Sequence, residues 1–449
     1  MPNFSELLSK YDVPTPRYTS YPTVPYWDGA LSAETWVEEL KKSCSKPGAA
    51  LALYLHLPFC ENLCFFCGCN TVITKDHSNE TSYLEYMLAE LALYNEQVPA
   101  LSSVLFHELH IGGGTPTFFS PANLSRLLSG IFEKLTRALT FTGSIEIDPR
   151  HFTAEQMDVL QGFGFKRVSL GVQDFDPTVQ KAVNRIQPFA MTKQAAEIAR
   201  ARGVTSVNFD LIYGLPYQTK ETIKETIYKV IELLPDRIAF YSFAHVPWIK
   251  QAHQKLGEHA PVGSEKRELY EIGRGLLLDT GYIEIGMDHF ALPSDALSKS
   301  LAAGVLHRNF MGYVEQGSEI LLGLGVSSIS SCSGAYSQNH KIFGEYQASI
   351  QKQKLPVKRG HVMTEDDQMC YAHIQNIMTA GKTVLDSSVA LSQVRSRLSE
   401  LEKDNLVAIA DNSIQVTELG RAFLRNIAVA FDNRLHSAKP ESIMFSKAI

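Results

Sequence analysis

Between about residue 51 and residue 245, strand-like apolar runs alternate six times with helix-like segments, and this alternation constrains the fold most. A strand-helix repeat builds a parallel sheet whose faces are covered by its own crossovers. The strands read as 51–57 (LALYLHL), 104–111 (VLFHELHI), 143–148 (GSIEID), 167–172 (RVSLGV), 205–212 (TSVNFDLI) and 237–244 (RIAFYSFA). Explicit signals open the helices between them: Ser120-Pro121 as N-cap and first-turn proline, Thr153 with Gln156 as a capping box, and Asp176-Pro177. In the fifth helix Ile223, Ile227, Val230, Ile231 and Leu234 form one predicted apolar stripe. Six units suit an open, partial (β/α)6 TIM-like barrel better than a closed eight-stranded one.

The flanks read differently. Residues 1–48 form an irregular N-terminal segment, with Pro14, Pro16, Pro22 and Pro25 breaking any regular element. Tyr18, Tyr21, Tyr26 and Trp27 are costly to leave in water, so this segment is expected to lie over something, namely the active site. The barrel is assigned to 49–290 and a mostly helical C-terminal domain to 291–449. There Val394, Leu398 and Leu401 stripe one helix, and 406–410 with 414–416 read as a hairpin, a winged-helix-like pattern. DNA binding does not follow, because residues 388–425 carry five basic and five acidic side chains.

The whole chain argues the same way. Its 449 residues carry 42 basic and 48 acidic side chains, a net charge of -6, so no nucleic-acid partner is expected. No apolar run approaches the roughly 20 residues of a transmembrane helix, and the polar start resembles no signal peptide. A cytoplasmic protein without a membrane partner is the expectation. Seven cysteines make a poor disulfide framework. Cys44, Cys332 and Cys370 are scattered, and read as small buried hydrophobes.

Cys60, Cys64, Cys67 and Cys69 instead share one loop after the first strand, where a barrel builds its site. Thiolates select zinc, copper(I) or iron-sulfur clusters. Structural zinc pins distant segments, whereas this loop would staple nothing. If Cys60-x3-Cys64-x2-Cys67 alone binds a four-iron cluster, one iron stays open for a substrate. The spacing, with Phe66 before the third cysteine, resembles the radical S-adenosylmethionine superfamily.

Polar or glycine residues end the other strands: Gly112-Gly113-Gly114-Thr115, Glu146, Gln173, Asp210 and Ala244. The glycines let backbone amides approach a bound carboxylate, and the absence of a following Lys argues against a phosphate-binding P-loop. Glu146 and Asp210 suit ribose hydroxyls, and Arg185 suits a methionyl carboxylate.

Further segments narrow the likeness. Pro16 to Pro22, Tyr54 to Asn70, Gly171 to Phe175, Asn208 to Pro216, Gly286 to Phe290 and His307 to Phe310 resemble the oxygen-independent coproporphyrinogen III oxidase family. The resemblance implies oxidative decarboxylation of two propionates of coproporphyrinogen III to vinyl groups, giving protoporphyrinogen IX in haem biosynthesis. It implies one [4Fe-4S] cluster on Cys60, Cys64 and Cys67, with Cys69 nearby but not a ligand. Tyr54, Gly113, Glu146 and Ile329 would touch the cluster-bound S-adenosylmethionine. Phe66, Gly114, Thr115, Gln173, Arg185, Asp210 and Ala244 would touch a second molecule. Tyr54, Glu146 and Phe310 are the expected catalytic residues. An electron donor, an unidentified electron acceptor and a monomeric state complete the expectation. Arg17 and Arg308 are candidate cations for the substrate carboxylates, and Met311 stands where the bacterial pattern often has Gln. The alternatives are a haem-carrier relative of the same superfamily and an iron-sulfur electron carrier or regulator.

Overall fold

The computed structural model describes residues 4–27, 29, 31–246, 253–385, 388–437 and 445–447. All six predicted strands form: β1 (Ala50–Leu57), β2 (Leu105–Gly113), β3 (Arg137–Ile147), β4 (Phe165–Gln173), β5 (Ser206–Tyr213) and β6 (Arg237–Ser242). They pair in parallel in chain order, so their carboxyl ends share one rim. Strand periodicity separates the faces. On β1, Leu51, Leu53, Leu55 and Leu57 are fully buried in the main core, each contributing about 2 kcal/mol. The intervening Tyr54 and His56 belong to the opposite face, inside the barrel.

The helix signals act as expected. Ser120 caps Pro121–Phe132, Thr153 and Gln156 form the capping box of Ala154–Gly162, and Asp176 accepts from the Thr178 and Val179 amides. In Lys220–Leu233 the buried face is Ile223, Thr226, Ile227, Val230 and Leu233. Leu234, predicted on that stripe, is 53% exposed, because the helix stops there in a left-handed cap with φ of 47°.

From residue 283 onward the structure adds strands to the expected helices and hairpin. Strands β7 (Ile283–Gly286) and β8 (His289–Ala291) extend one edge, β8 antiparallel to β6. A hairpin of β9 (His307–Asn309) and β10 (Gly312–Val314) follows. Then β11 (Ile320–Leu324) pairs in parallel with the other side of β1, Leu51 opposite Ile320. Next come β12 (Ile329–Cys332), β13 (Ala335–Asn339) and β14 (Val357–Val362), all antiparallel. The result is one twelve-stranded sheet that runs through position 290 without a break. Glu90, on the helix Asn79–Gln97, locks this seam by accepting from Gly325 N, Asn339 Nδ2 and Tyr346 Oη at 2.8, 2.6 and 2.7 Å.

Glu315, just past β10, accepts from Arg167 and Arg237, each at 2.6 Å. Arg237 also pairs with Asp295 at 2.8 Å, and Arg167 with Glu108. These two guanidiniums and three carboxylates form one network near the amino ends of the strands, opposite the rim that carries the cysteine loop.

The N-terminal segment is less irregular than its prolines suggest, since helices Phe4–Tyr11 and Ala33–Cys44 flank them. Trp36, Val37 and Leu40 enter the main core, while Tyr18 and Tyr21 join a second core with C-terminal residues. Tyr18 Oη donates to Asp432 at 3.0 Å. In the C-terminal part Val394, Leu398 and Leu401 are buried, and Val407–Ala410 pairs with Ser413–Val416 as a hairpin. Among the described residues no helix is long and apolar enough to cross a membrane.

Candidate active site

The loop after β1 is tied down at several points before any ligand is considered. Phe59–Cys60 pairs with Val72–Ile73, closing the loop into a ring. Cys67 N donates to Cys64 O at 3.0 Å, and Phe65 N to Val183 O at 3.0 Å. His56 Nε2 lies 2.8 Å from the Asn70 carbonyl, which can only accept, so Nδ1 accepts the Tyr54 hydroxyl at 3.1 Å. Burial pushes His56 below its ordinary pKa and keeps the ring neutral.

The loop forms one wall of a cavity of about 380 Å³ at the barrel rim. Cys60, Cys64, Cys67 and Cys69 line it together with Phe66, Gly113, Gly114, Thr115, Glu146, Gln173, Arg185 and Asp210. Eight residues expected to contact the cofactor therefore meet the three expected ligands in one space. Tyr54, Ala244, Phe310 and Ile329 are not part of that lining. Tyr54 lies behind it, stacked on His110 at 5.9 Å between ring centroids. Ala244 lies two residues past β6. Phe310 packs at 5.9 Å against Trp27 and 6.0 Å against Tyr336, in a small cluster that Ile329 also joins.

Gly113, Gly114 and Thr115 do not offer free amides. Gly113 N donates to Glu146 at 3.1 Å, Gly114 N to Leu57 O at 2.8 Å, and Thr115 N to Phe59 O at 2.9 Å. What the run needs is closeness: a Cβ on Gly114 would sit 2.4 Å from the Pro58 carbonyl oxygen, and Gly113 has φ of 119°. These glycines press β2 against the start of the cysteine loop. Thr115 Oγ1 completes the contact, 3.1 Å from Cys60 Sγ.

Two carboxylates face the cavity in different states. Glu146 is pushed up by burial, but His110 Nε2 at 3.3 Å and the Gly113 amide outweigh that and hold it below the usual range. Asp210 accepts from Ser169 Oγ at 2.6 Å and Asn208 Nδ2 at 2.8 Å, yet burial dominates and pushes it up to about 6. Gln173 reaches the wall through a register break in β4 and a φ of 69°.

Sequence reasoning missed His110, Asp148, Arg150, Tyr241 and His289, all in the lining. Strand alternation was the available signal: Ser144, Glu146 and Asp148 share one face, as do Asn208 and Asp210. The two candidate cations are already engaged. Arg17 pairs with Asp288 at 3.0 Å, and Arg308 donates to the Arg17 carbonyl while stacking 4.7 Å from the Tyr313 centroid.

The donor set suits a soft centre, since four thiols line the cavity and guanidinium groups face a sulfur. Among the described residues no three His, Cys, Asp or Glu side chains gather tightly enough for a single metal ion. A polynuclear cluster is bulkier and spreads the thiolates that hold it.

The model of the radical SAM superfamily matches residues 54–229. The oxygen-independent coproporphyrinogen III oxidase of Synechocystis sp. is 38% identical, covering 99% of this chain and 98% of its own. That of Escherichia coli is 37% identical with the same coverage. The solved structure of the Escherichia coli coproporphyrinogen III oxidase, described as a radical SAM enzyme, superposes with a TM-score of 0.88 at 36% identity. It covers 93% of this chain and 97% of that one. Spanning nearly the full length of both, this likeness places the chain in the oxygen-independent coproporphyrinogen III oxidase family of the radical SAM superfamily.

Proposed function

We propose that this protein oxidises coproporphyrinogen III to protoporphyrinogen IX without oxygen, in haem biosynthesis. The observation that carries this reading is the meeting of the cysteine loop and the polar strand ends in one cavity, in a chain matched end to end by such oxidases. Cys60, Cys64 and Cys67 would hold a [4Fe-4S] cluster, which would supply the one electron for cleaving S-adenosylmethionine, with release of methionine, so that hydrogen can be taken from a propionate side chain. Loss of carbon dioxide and of one electron to an external acceptor leaves the vinyl group, and this happens at two propionates.

The chain's own groups bind, orient and exclude water. Three thiolates would leave one iron of that cluster open, with Cys69 a neighbour whose thiol is hydrogen-bonded to Cys67. Glu146, kept ionised by His110 and Gly113, accepts from the ammonium or ribose of the first S-adenosylmethionine. Tyr54 acts through His110, whose ring it stacks on, and Gly113 and Ile329 shape the same subsite. For a second S-adenosylmethionine, Asp210 accepts from ribose hydroxyls, while Phe66, Gly114, Thr115, Gln173 and Ala244 supply contacts. Arg185 holds its carboxylate, with Nε buried and lacking a hydrogen-bond partner among the described residues. Phe310 closes the substrate side beneath Trp27, keeping water from the reacting carbon. An external electron donor, a monomeric state, a cytoplasmic location and no nucleic-acid or membrane partner belong to the same reading.

Anaerobic incubation of reconstituted protein with S-adenosylmethionine, dithionite, an electron acceptor and coproporphyrinogen III tests it. The expected products are protoporphyrinogen IX and 5'-deoxyadenosine in a fixed ratio. Haem binding without either product would instead favour a haem carrier, and a fully ligated cluster without 5'-deoxyadenosine an electron carrier.

A further inference from the structure

Cys64 is the most enclosed of the three expected ligands, with 8% of its surface exposed. Two guanidinium groups approach its sulfur: Arg150 Nη2 at 3.7 Å and Arg185 Nη1 at 3.5 Å. Both are steered by one carboxylate. Asp148 Oδ1 accepts from the Arg150 amide at 3.0 Å and Nε at 2.9 Å, and Oδ2 accepts from Arg150 Nη2 at 2.6 Å and Arg185 Nη1 at 3.1 Å. Arg185 Nη2 adds a 2.6 Å bond to the Gly171 carbonyl. The short Asp-Pro-Arg sequence after β3 thus folds back on itself, and its forked contact fixes where Arg150 points.

Two cations against one anion leave one net positive charge beside a buried sulfur. Net charge and hydrogen bonds to sulfur are among the factors that set the reduction potential of an iron-sulfur cluster. Adding an electron makes the cluster more negative, so a fixed cation nearby favours the reduced form, the more so where water is excluded. Arg185 has a further expected duty toward S-adenosylmethionine, whereas Arg150 has none, so Arg150 reports the electrostatic effect alone.

We propose that Arg150, oriented by Asp148, is a positioning residue that raises the reduction potential of the cluster through its contact with Cys64. This rests on the cluster binding at Cys60, Cys64 and Cys67. The electron comes from an external one-electron donor, and no protein bond forms or breaks.

The test is an EPR-monitored potentiometric titration with dithionite on the reconstituted full-length protein, with iron and sulfide measured on the same samples. Arg150→Gln removes the charge and keeps polar reach. It is expected to carry the full cluster and to shift the midpoint negative, leaving about tenfold less reduced cluster at a given potential, which is 59 mV for one electron. Arg150→Lys keeps the charge but loses the fork, so its midpoint should fall between the two. A fully loaded Arg150→Gln whose midpoint equals or exceeds that of the parent overturns the proposal. If Arg150→Gln binds too little iron to titrate, Arg150→Lys decides: a midpoint equal to or above the parent's overturns the proposal, a negative shift supports it. Parent protein that assembles no iron at all would overturn the cluster reading itself, a separate result.

Discussion

Arg17 and Asp288, 271 residues apart in sequence, form a 3.0 Å ion pair. The second oxygen of Asp288 lies 3.2 Å from His289 Nδ1, and His289 Nε2 lies 3.4 Å from the Tyr241 hydroxyl in the cavity wall. The N-terminal segment is thereby tied to the rim where substrate must enter. Arg17→Ala leaves Asp288 buried without its cation, and the partial exposure of Arg17 reduces the loss to about 1–3 kcal/mol. Thermal unfolding should show that loss, and turnover should show a raised KM for coproporphyrinogen III. Protein lacking residues before 35 that kept full turnover would refute the closing role of the segment.

Cys60→Ala, Cys64→Ala and Cys67→Ala should each abolish cluster assembly. Cys69→Ser should keep nearly all iron and sulfide, as measured by colorimetric assay. Loss of iron in that variant equal to the other three would mean four cysteine ligands instead of three.

With Asp210 in its proposed role as an acceptor for the cofactor, cofactor binding is expected to depend on pH. Burial raises its carboxyl to about 6, so it is ionised above that pH and neutral below it. Ser169, Asn208, Glu146, His289 and Tyr241 are the groups that surround it electrically or by hydrogen bonds. Only the ionised form accepts hydrogen bonds at both oxygens, so affinity for S-adenosylmethionine should fall as pH drops through 6, by up to about tenfold per unit. Equilibrium dialysis between pH 5 and 8 measures this, and Asp210→Asn should flatten the change.

Glu90 makes stability depend on pH with the opposite sense. Burial raises it from 4.5 to about 7 despite three donated hydrogen bonds. The folded state then holds a proton that the unfolded chain has released, so stability falls as pH rises from about 4.5 to 7. The full change is about 3 kcal/mol, one pKa unit being worth about 1.4. Urea unfolding at pH 5 and pH 8 should record that loss. In Glu90→Gln the pH difference should shrink, although the variant starts less stable because its amide faces the Asn339 donor.

Trp27 stacks on Tyr336 with centroids 5.3 Å apart and planes 10° apart, and meets Phe310 edge-on. Phe310→Ala removes a side of this cluster, and kcat should fall at least tenfold while cluster content stays unchanged. A parallel rise in 5'-deoxyadenosine formed without product would show that hydrogen is taken from donors other than the propionate.

The six barrel strands were legible because each is a local run of apolar residues bounded by caps and turns. The added strands were not. Ile320–Leu324 is buried throughout because its partner is β1, 269 residues earlier by the Leu51–Ile320 register, and no local pattern carries that pairing. Ala335–Asn339 is buried with Ser337, Gln338 and Asn339 in it, polar residues that periodicity assigns to the surface. The cysteine spacing announced the site, while Arg150 stayed hidden because Cys64 lies 86 positions away.

The position of β1 between β2 and β11 also orders events during synthesis. The cysteine loop leaves the ribosome early, but the strand that carries it lacks one neighbour until residue 324 has been made. For most of translation the loop therefore hangs from a strand paired on one side only.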